Sequence, residues 1–133
     1  MPIEQTSAIV GSEASFSVEE LVVNSFFEPF ADVPLGIIVI GRKGHIRFFN
    51  VMAGYFLGIP PSIALHRPIE AIIPSPEILD VLRSGVTVHE RQELVNDRLL
   101  KYSMLPIVID GKILFAVQFM QDVTETMMND NYN

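Results

Sequence analysis

The sequence predicts an α+β fold, a five-stranded antiparallel sheet with its helices gathered between the second and third strands, from three features. The run "VPLGIIVIGRKGHIRFF" is two apolar, strand-like segments around a glycine-bearing turn, which reads as a β-hairpin. Helical pieces broken by Pro60, Pro61, Pro68, Pro74 and Pro76 follow it. The last third then reads as three strands, "VTVHERQELV", "RLLKYSMLPIVI" and "ILFAVQFMQDV", separated by the turn pairs Asn96-Asp97 and Asp110-Gly111.

Taken in order, residues 1–16 are small and polar and read as a flexible tail. In "SVEELVVNSFF" Ser17 and Glu20 have capping-box spacing, and Val18, Leu21, Val22 and Phe26 recur at helical intervals. A flanking helix over 18–28, closed before Pro29, is expected within a segment 17–31. After the hairpin, "VMAGYFLG" suits a helix stopping at Gly58, and "PEILDVLRSG" one stopping at Gly85. Asn50 sits where strand gives way to helix. Its side-chain oxygen can cap the helix by accepting from residue 52 or 53, or the amide can face a ligand.

The length of 133 residues fits one domain, able to bury about two thirds of its unfolded surface. Hydrophobic residues make up 49% and charged residues 19%, a globular composition. Nine Lys and Arg against sixteen Asp and Glu leave a net charge of -7 with scattered cations, so no direct nucleic-acid contact by this domain is expected. The absence of Cys rules out disulfides, thiolate metal sites, cysteine nucleophiles and a covalent flavin adduct. No apolar run approaches the roughly 20 residues of a membrane span, and no signal peptide is visible, so a cytoplasmic location without membrane contact is expected.

Catalytic patterns are missing from the sequence: there is no Gly-rich phosphate loop, nucleophile elbow or carboxylate pair, and the chain is not expected to be an enzyme. The opening "MPI" resembles tautomerases, which use an N-terminal proline amine as a base; Pro2 is the corresponding residue, but nothing else in the chain matches.

Two separated stretches carry a broader resemblance. "VPLGIIVIGRKGHIRFFNVMAGYFLG" and "DGKILFAVQFMQDVTE" resemble the opening hairpin, junction asparagine and first helix, and the last strand and Asp-x-Thr ending, of PAS domains. With "AIIPSPEILDVLRSG" and "QEL" between them, the chain is most similar to the sensory PAS domains of sigma-54-dependent transcriptional activators and of sensor histidine kinases. The resemblance implies a PAS domain over 32–125, with 126–133 starting a linker or tail. It implies a sensory and dimerisation module that binds a small ligand or a partner and signals to an effector, an ATPase or a kinase. A stand-alone adapter without ligand is the alternative.

The resemblance also implies residues. In light-sensing relatives the flavin-facing position lies two before the aspartate, which points Leu114, Ala116, Gln118 and Met120 into the pocket. Candidate pocket residues are Asn50, Met52, Tyr55, Phe56, Ile72, Leu82, Met104, Gln118 and Met120. Gln118 is either a ligand-binding amide or one satisfied by backbone. Asp122, Thr124 and Glu125 are candidates for signal output, and Thr124 also suits a plain helix cap. Phe115, Val117 and Phe119 form an outward stripe too apolar for solvent. They call for cover by the N-terminal helix or a second subunit, giving a candidate interface with Leu21, Val22 and Phe26, and a homodimer. Haem-binding relatives draw their axial histidine from the helix before the third strand, and "PEILDVLRSG" has none, so haem is not expected; the cofactor is otherwise open. His45, His66 and His89 lack metal-ligand spacing.

Overall fold

The β-branched run of "GIIVIG" forms β1 (Gly36–Gly41), and all six of its residues are buried, as a strand covered on both faces requires. The computed structural model describes residues 17–125; the expectations for 1–16, Pro2 included, and for 126–133 lie outside the described residues. β1 pairs with β2 (Ile46–Phe49) and, on its other side, with β5 (Lys112–Asp122). The sheet is completed by β4 (Arg98–Ile109) and β3 (Val88–Val95), in the order β2-β1-β5-β4-β3, all antiparallel. Both two-residue turns put their central residues at positive φ, Asn96 and Asp97 at 50° and 65°, Asp110 and Gly111 at 53° and 76°. That handedness matches the twist of the strands they join.

The connection from β2 to β3 carries α2 (Val51–Leu57), α3 (Pro61–Ala64), a 3-10 turn (Ile69–Ala71) and α4 (Ile78–Ser84). These lie on the inner face, around Ile38, Ile40, Phe49, Phe56, Ile78 and Met120. Gly36 permits that packing. A Cβ there would come within 2.9 Å of Met120 Cε and 3.3 Å of the Ala53 backbone.

The outer face carries a second cluster: Ile37, Val39, Phe48, Phe115 and Val117 beneath Val23 and Phe27 of the N-terminal arm. This arm departs from the expected single helix over 18–28. It is α1 (Val18–Val22), then a π-helical turn (Val23–Phe27), then a 3-10 turn (Glu28–Phe30). Pro29 lies inside that last turn, in its first residues, where the missing N–H would be unsatisfied anyway. The wide turn changes which side chains face the sheet. Val23 and Phe27 are buried and Val22 packs against them, whereas Val18, Leu21 and Phe26 are exposed. The capping box is half made. Ser17 Oγ accepts from the Glu20 amide at 3.3 Å, but the Glu20 carboxylate pairs with Arg47 at 3.3 Å.

A second departure lies in β5. Ile107 is opposite Phe115 and Val108 opposite Ile113, so Leu114 is an extra residue that breaks the alternation. Leu114 therefore packs with the outer cluster and not with the pocket-facing set expected of it. Beyond the bulge, Ala116 and Met120 belong to the inner core as the alternation predicts.

Asn50 joins the layers. Its Oδ1 accepts from Ala53 N at 3.0 Å, capping α2, and from Ile37 N at 2.9 Å, while Nδ2 donates to Phe30 O at 3.0 Å and Leu35 O at 2.8 Å. With only 2% of its surface exposed, the loss of these four bonds in Asn50→Ala is expected to cost about 3 kcal/mol. Asn50→Asp should be destabilised as well, although aspartate is as good an isolated cap, because two carbonyls would then face a carboxylate. Urea unfolding of both variants checks this; an Asp variant as stable as the parent would mean that the amide donors contribute nothing.

Candidate functional site

A cavity of about 490 Å³ lies between the inner face of β3, β4 and β5 and the irregular chain leading into α4. Strand alternation supplies one wall, with Leu100, Tyr102 and Met104 from β4 beside Gln118 and Met120 from β5. Leu57 at the end of α2 and Ile72 to Glu77 supply the other, and Glu93, Val95 and Asn96 border it from the sheet edge. Pro74 and Pro76 keep this covering segment out of a regular helix, which leaves open space above the end of the sheet.

Gln118 is the one buried polar side chain on the cavity wall, with 8% of its surface exposed. Among the described residues its amide makes no side-chain hydrogen bond, and its polar atoms are not sealed off, so they open onto the cavity. Tyr102 adds a phenol whose pKa is raised, first by burial and then by the nearby carboxylates of Glu93 and Glu77, so it stays a neutral donor. Glu77 is held in a two-point contact by Arg91, Nε to Oε1 at 3.3 Å and the second nitrogen to Oε2 at 2.8 Å, which ties β3 to the covering segment. Asn96 also fixes the rim, donating to Phe56 O at 2.9 Å.

Of the expected pocket residues, Ile72, Met104, Gln118 and Met120 line this cavity. The other five do not. Asn50 spends its amide on backbone and borders a separate groove beneath the N-terminal arm. Phe56 is in the packed core, and Met52 and Leu82 pack against that core instead of lining the cavity. Tyr55 is exposed, its ring 4.1 Å beneath the Arg98 guanidinium. Leu100 and Tyr102 were accessible to the alternation that picks out Met104. Ile73 to Glu77, Glu93 and Asn96 were not, since no periodicity places an irregular segment or a turn over a sheet.

The end of β5 makes a second polar cluster. Thr124 Oγ1 donates to Asp122 Oδ1 at 2.6 Å and accepts from Leu99 N at 2.9 Å, the Thr124 amide donates to the same carboxylate at 3.0 Å, and Arg98 lies 3.6 Å from it. Thr124 thereby locks the end of β5 to β4 and is more than a cap for the turn that begins at Thr124 and Glu125. Glu125 is exposed. On the outer face Phe115 and Val117 are buried under the arm and Phe119 packs at their edge, while Leu21 and Phe26 of the arm remain exposed.

Among the described residues no helix is long and apolar enough to cross a membrane, and no three His, Asp or Glu gather as metal ligands would.

Solved PAS domains superpose on this arrangement. The PAS domain of a Colwellia psychrerythraea protein matches with a TM-score of 0.57 at 17% identity, covering 78% of this chain and 98% of that one. The PAS domain of histidine kinase ThkA gives 0.58 at 16% identity, with 68% and 100% covered. The phage VqmA–DPO complex gives 0.66 at 12% identity, with 86% and 58% covered. The chain has the PAS fold.

By sequence the chain resembles parts of two sensor proteins, while no family model matches it. It is 28% identical over 90 residues to the probable C4-dicarboxylate sensor kinase of Halalkalibacterium halodurans, 68% of this chain and 17% of that protein. It is 32% identical over 63 residues to Sensor protein CitS of Bacillus subtilis, 47% of this chain and 11% of that protein. The chain thus spans less than a fifth of either relative's length.

The Thr124 bonds hold the Asp122 carboxyl below its ordinary pKa, the hydroxyl first and the amide second. A depressed carboxylate stabilises the fold above its unfolded pKa, and this contribution is lost as pH falls through the folded value. In Thr124→Val the Asp122 pKa should rise toward the ordinary range and less stability should be lost on acidification. Carboxyl carbon NMR titration with unfolding at several pH values measures both; an unmoved Asp122 would refute the assignment.

Proposed function

We propose that the chain is a sensory PAS module acting in the cytoplasm, which binds a small molecule and passes the signal to an effector of the sensor-kinase type. The observation that carries this reading is the cavity with an unpartnered, nearly buried amide in its wall. A few polar groups placed in an otherwise apolar cavity is how small-molecule sites are commonly built. The amide of Gln118 opens onto this cavity, where water or the polar group of a ligand can complete its hydrogen bonds. The kinase setting, in preference to a sigma-54 activator, is supported by the likeness to a probable sensor kinase and to a second sensor protein.

The relative from Halalkalibacterium halodurans is named for a C4-dicarboxylate. That ligand does not carry over to this cavity, whose wall includes Glu77 and Glu93 and no Lys, Arg or His. The output route runs through Asp122, Thr124 and Glu125, because a change in the cavity that moves β4 or β5 alters the bonds joining Leu99 and Arg98 to the end of the sheet. The effector, a kinase or ATPase, lies in the same polypeptide or in a separate partner.

The alternative of a ligand-free adapter makes a different prediction for Gln118→Leu, a change of similar volume. If the amide serves a ligand, this variant should be at least as stable as the parent when empty, and should lose any thermal shift that a metabolite library produces in the parent. Native mass spectrometry of gently purified protein should show a retained molecule in the parent alone. A destabilised variant, together with a parent that responds to nothing, would support the adapter.

The module pairs with a second copy through the arm's exposed ridge, Leu21 and Phe26 with Val18 beside them. Sedimentation should show a dimer at tens of micromolar that Leu21→Glu with Phe26→Glu converts to monomer at unchanged melting temperature, since neither side chain is in the core. A parent that is monomeric throughout would remove the dimer.

A further inference from the structure

The charges around the cavity narrow the chemistry of what it can hold, an inference that rests on its being a ligand site. We propose that it takes a small organic cation, an amine or amidine on an apolar body, in preference to a carboxylate. Two carboxylates border the cavity. Glu77 is neutralised by the guanidinium of Arg91, with contacts of 2.8 and 3.3 Å. Glu93, exposed at the rim on β3, has no ion-pair partner among the described residues. No Lys, Arg or His lines the space.

The two cations of the neighbouring part of β4 are committed elsewhere. Lys101 reaches Glu90 at 2.9 Å, and Arg98 is held between the Tyr55 ring and Asp122. The net charge facing a ligand is therefore that of the Glu93 carboxylate. An anion would give up its hydration and meet like charge, and the dipoles of Gln118 and Tyr102 cannot neutralise it. A cation loses hydration too, but it gains Glu93 at the rim and the carbonyl oxygen of Gln118 within, while its apolar body covers Leu57, Leu100, Met104 and Met120. The Tyr102 pKa is raised first by burial and then by Glu93 and Glu77, against an opposing pull from Arg91, so Glu93 acts on the wall as well as on the rim.

Three isosteric probes that differ mainly in charge test the proposal: benzamidine, benzamide and benzoate, titrated into the described protein at moderate salt. Methyl and amide NMR shifts of Met104, Met120, Tyr102 and Gln118 report binding. Affinities for such small probes are expected in the millimolar range. Benzamidine should bind about fivefold more tightly than benzamide, the worth of one partly exposed ion pair, and benzoate should be weakest. Glu93→Gln, on an exposed strand edge where folding is not at stake, should erase the advantage of benzamidine and leave benzamide unchanged.

Benzoate binding as well as benzamidine would overturn the ligand class and leave the cavity a ligand site. Shifts confined to residues outside the cavity for all three probes would overturn the ligand site itself, and the proposal with it. A benzamidine advantage that survives Glu93→Gln would also refute the proposal, since its source would not be Glu93.

Discussion

The four hydrogen bonds of one buried amide organise this molecule. Asn50 accepts from Ile37 at the start of β1 and from Ala53 in α2, and donates to Phe30 and Leu35 on the chain that arrives from the arm. The arm therefore approaches on one side of the sheet as α2 leaves on the other. Burying β1 on both faces follows from this, and so do the close contact of Gly36 with α2 and the separation of two apolar clusters by a single layer of strands.

The two faces of the sheet are filled differently. The arm closes the outer face by setting Phe27 against Phe48 and Phe115, with ring centroids 5.8 and 6.2 Å apart. On the inner face α2 and α4 pack tightly over β1 and β5, but the chain crossing toward β3 is held irregular by Pro74 and Pro76. Packing is complete at one end of the sheet and incomplete at the other. The cavity is the incomplete part, pinned open at its rim by Arg91 on Glu77 and by Asn96 on the last turn of α2.

The same strands that wall the cavity end in the Asp122 and Thr124 cluster. Arg98 touches Tyr55 of α2 and Asp122 of β5, and Leu99 is bonded to Thr124 from the residue next to the cavity-lining Leu100. Helix, cavity wall and strand end are thus connected through packed groups within a few residues of one another. Packed connections of this kind can carry a movement of the cavity wall to the end of β5, and they are built from contacts that local sequence patterns do not encode.

Much of this was legible in the sequence. Turn pairs, helix stops and period-two alternation report on local backbone energetics, so the five strands, Gly58, Gly85 and the shared face of Ala116, Gln118 and Met120 could be read directly, while the resemblance to PAS domains said that this face points inward. Asn50 as a helix cap was legible for the same reason. Its two donor bonds were not, because Phe30 and Leu35 lie 20 and 15 residues away. Tertiary contacts also decided the π turn that buries Phe27 instead of Phe26, and the bulge that reassigns Leu114, each an insertion that shifts the period on which sequence reading depends. The cavity was the least legible part: a void is set by where packing fails between Pro-broken chain and sheet, and no residue records that failure on its own. The sequence by itself determined which elements form and which faces are apolar. Only the tertiary structure decided where two of those faces stand apart, leaving Gln118 unpaired beside a rim of carboxylates.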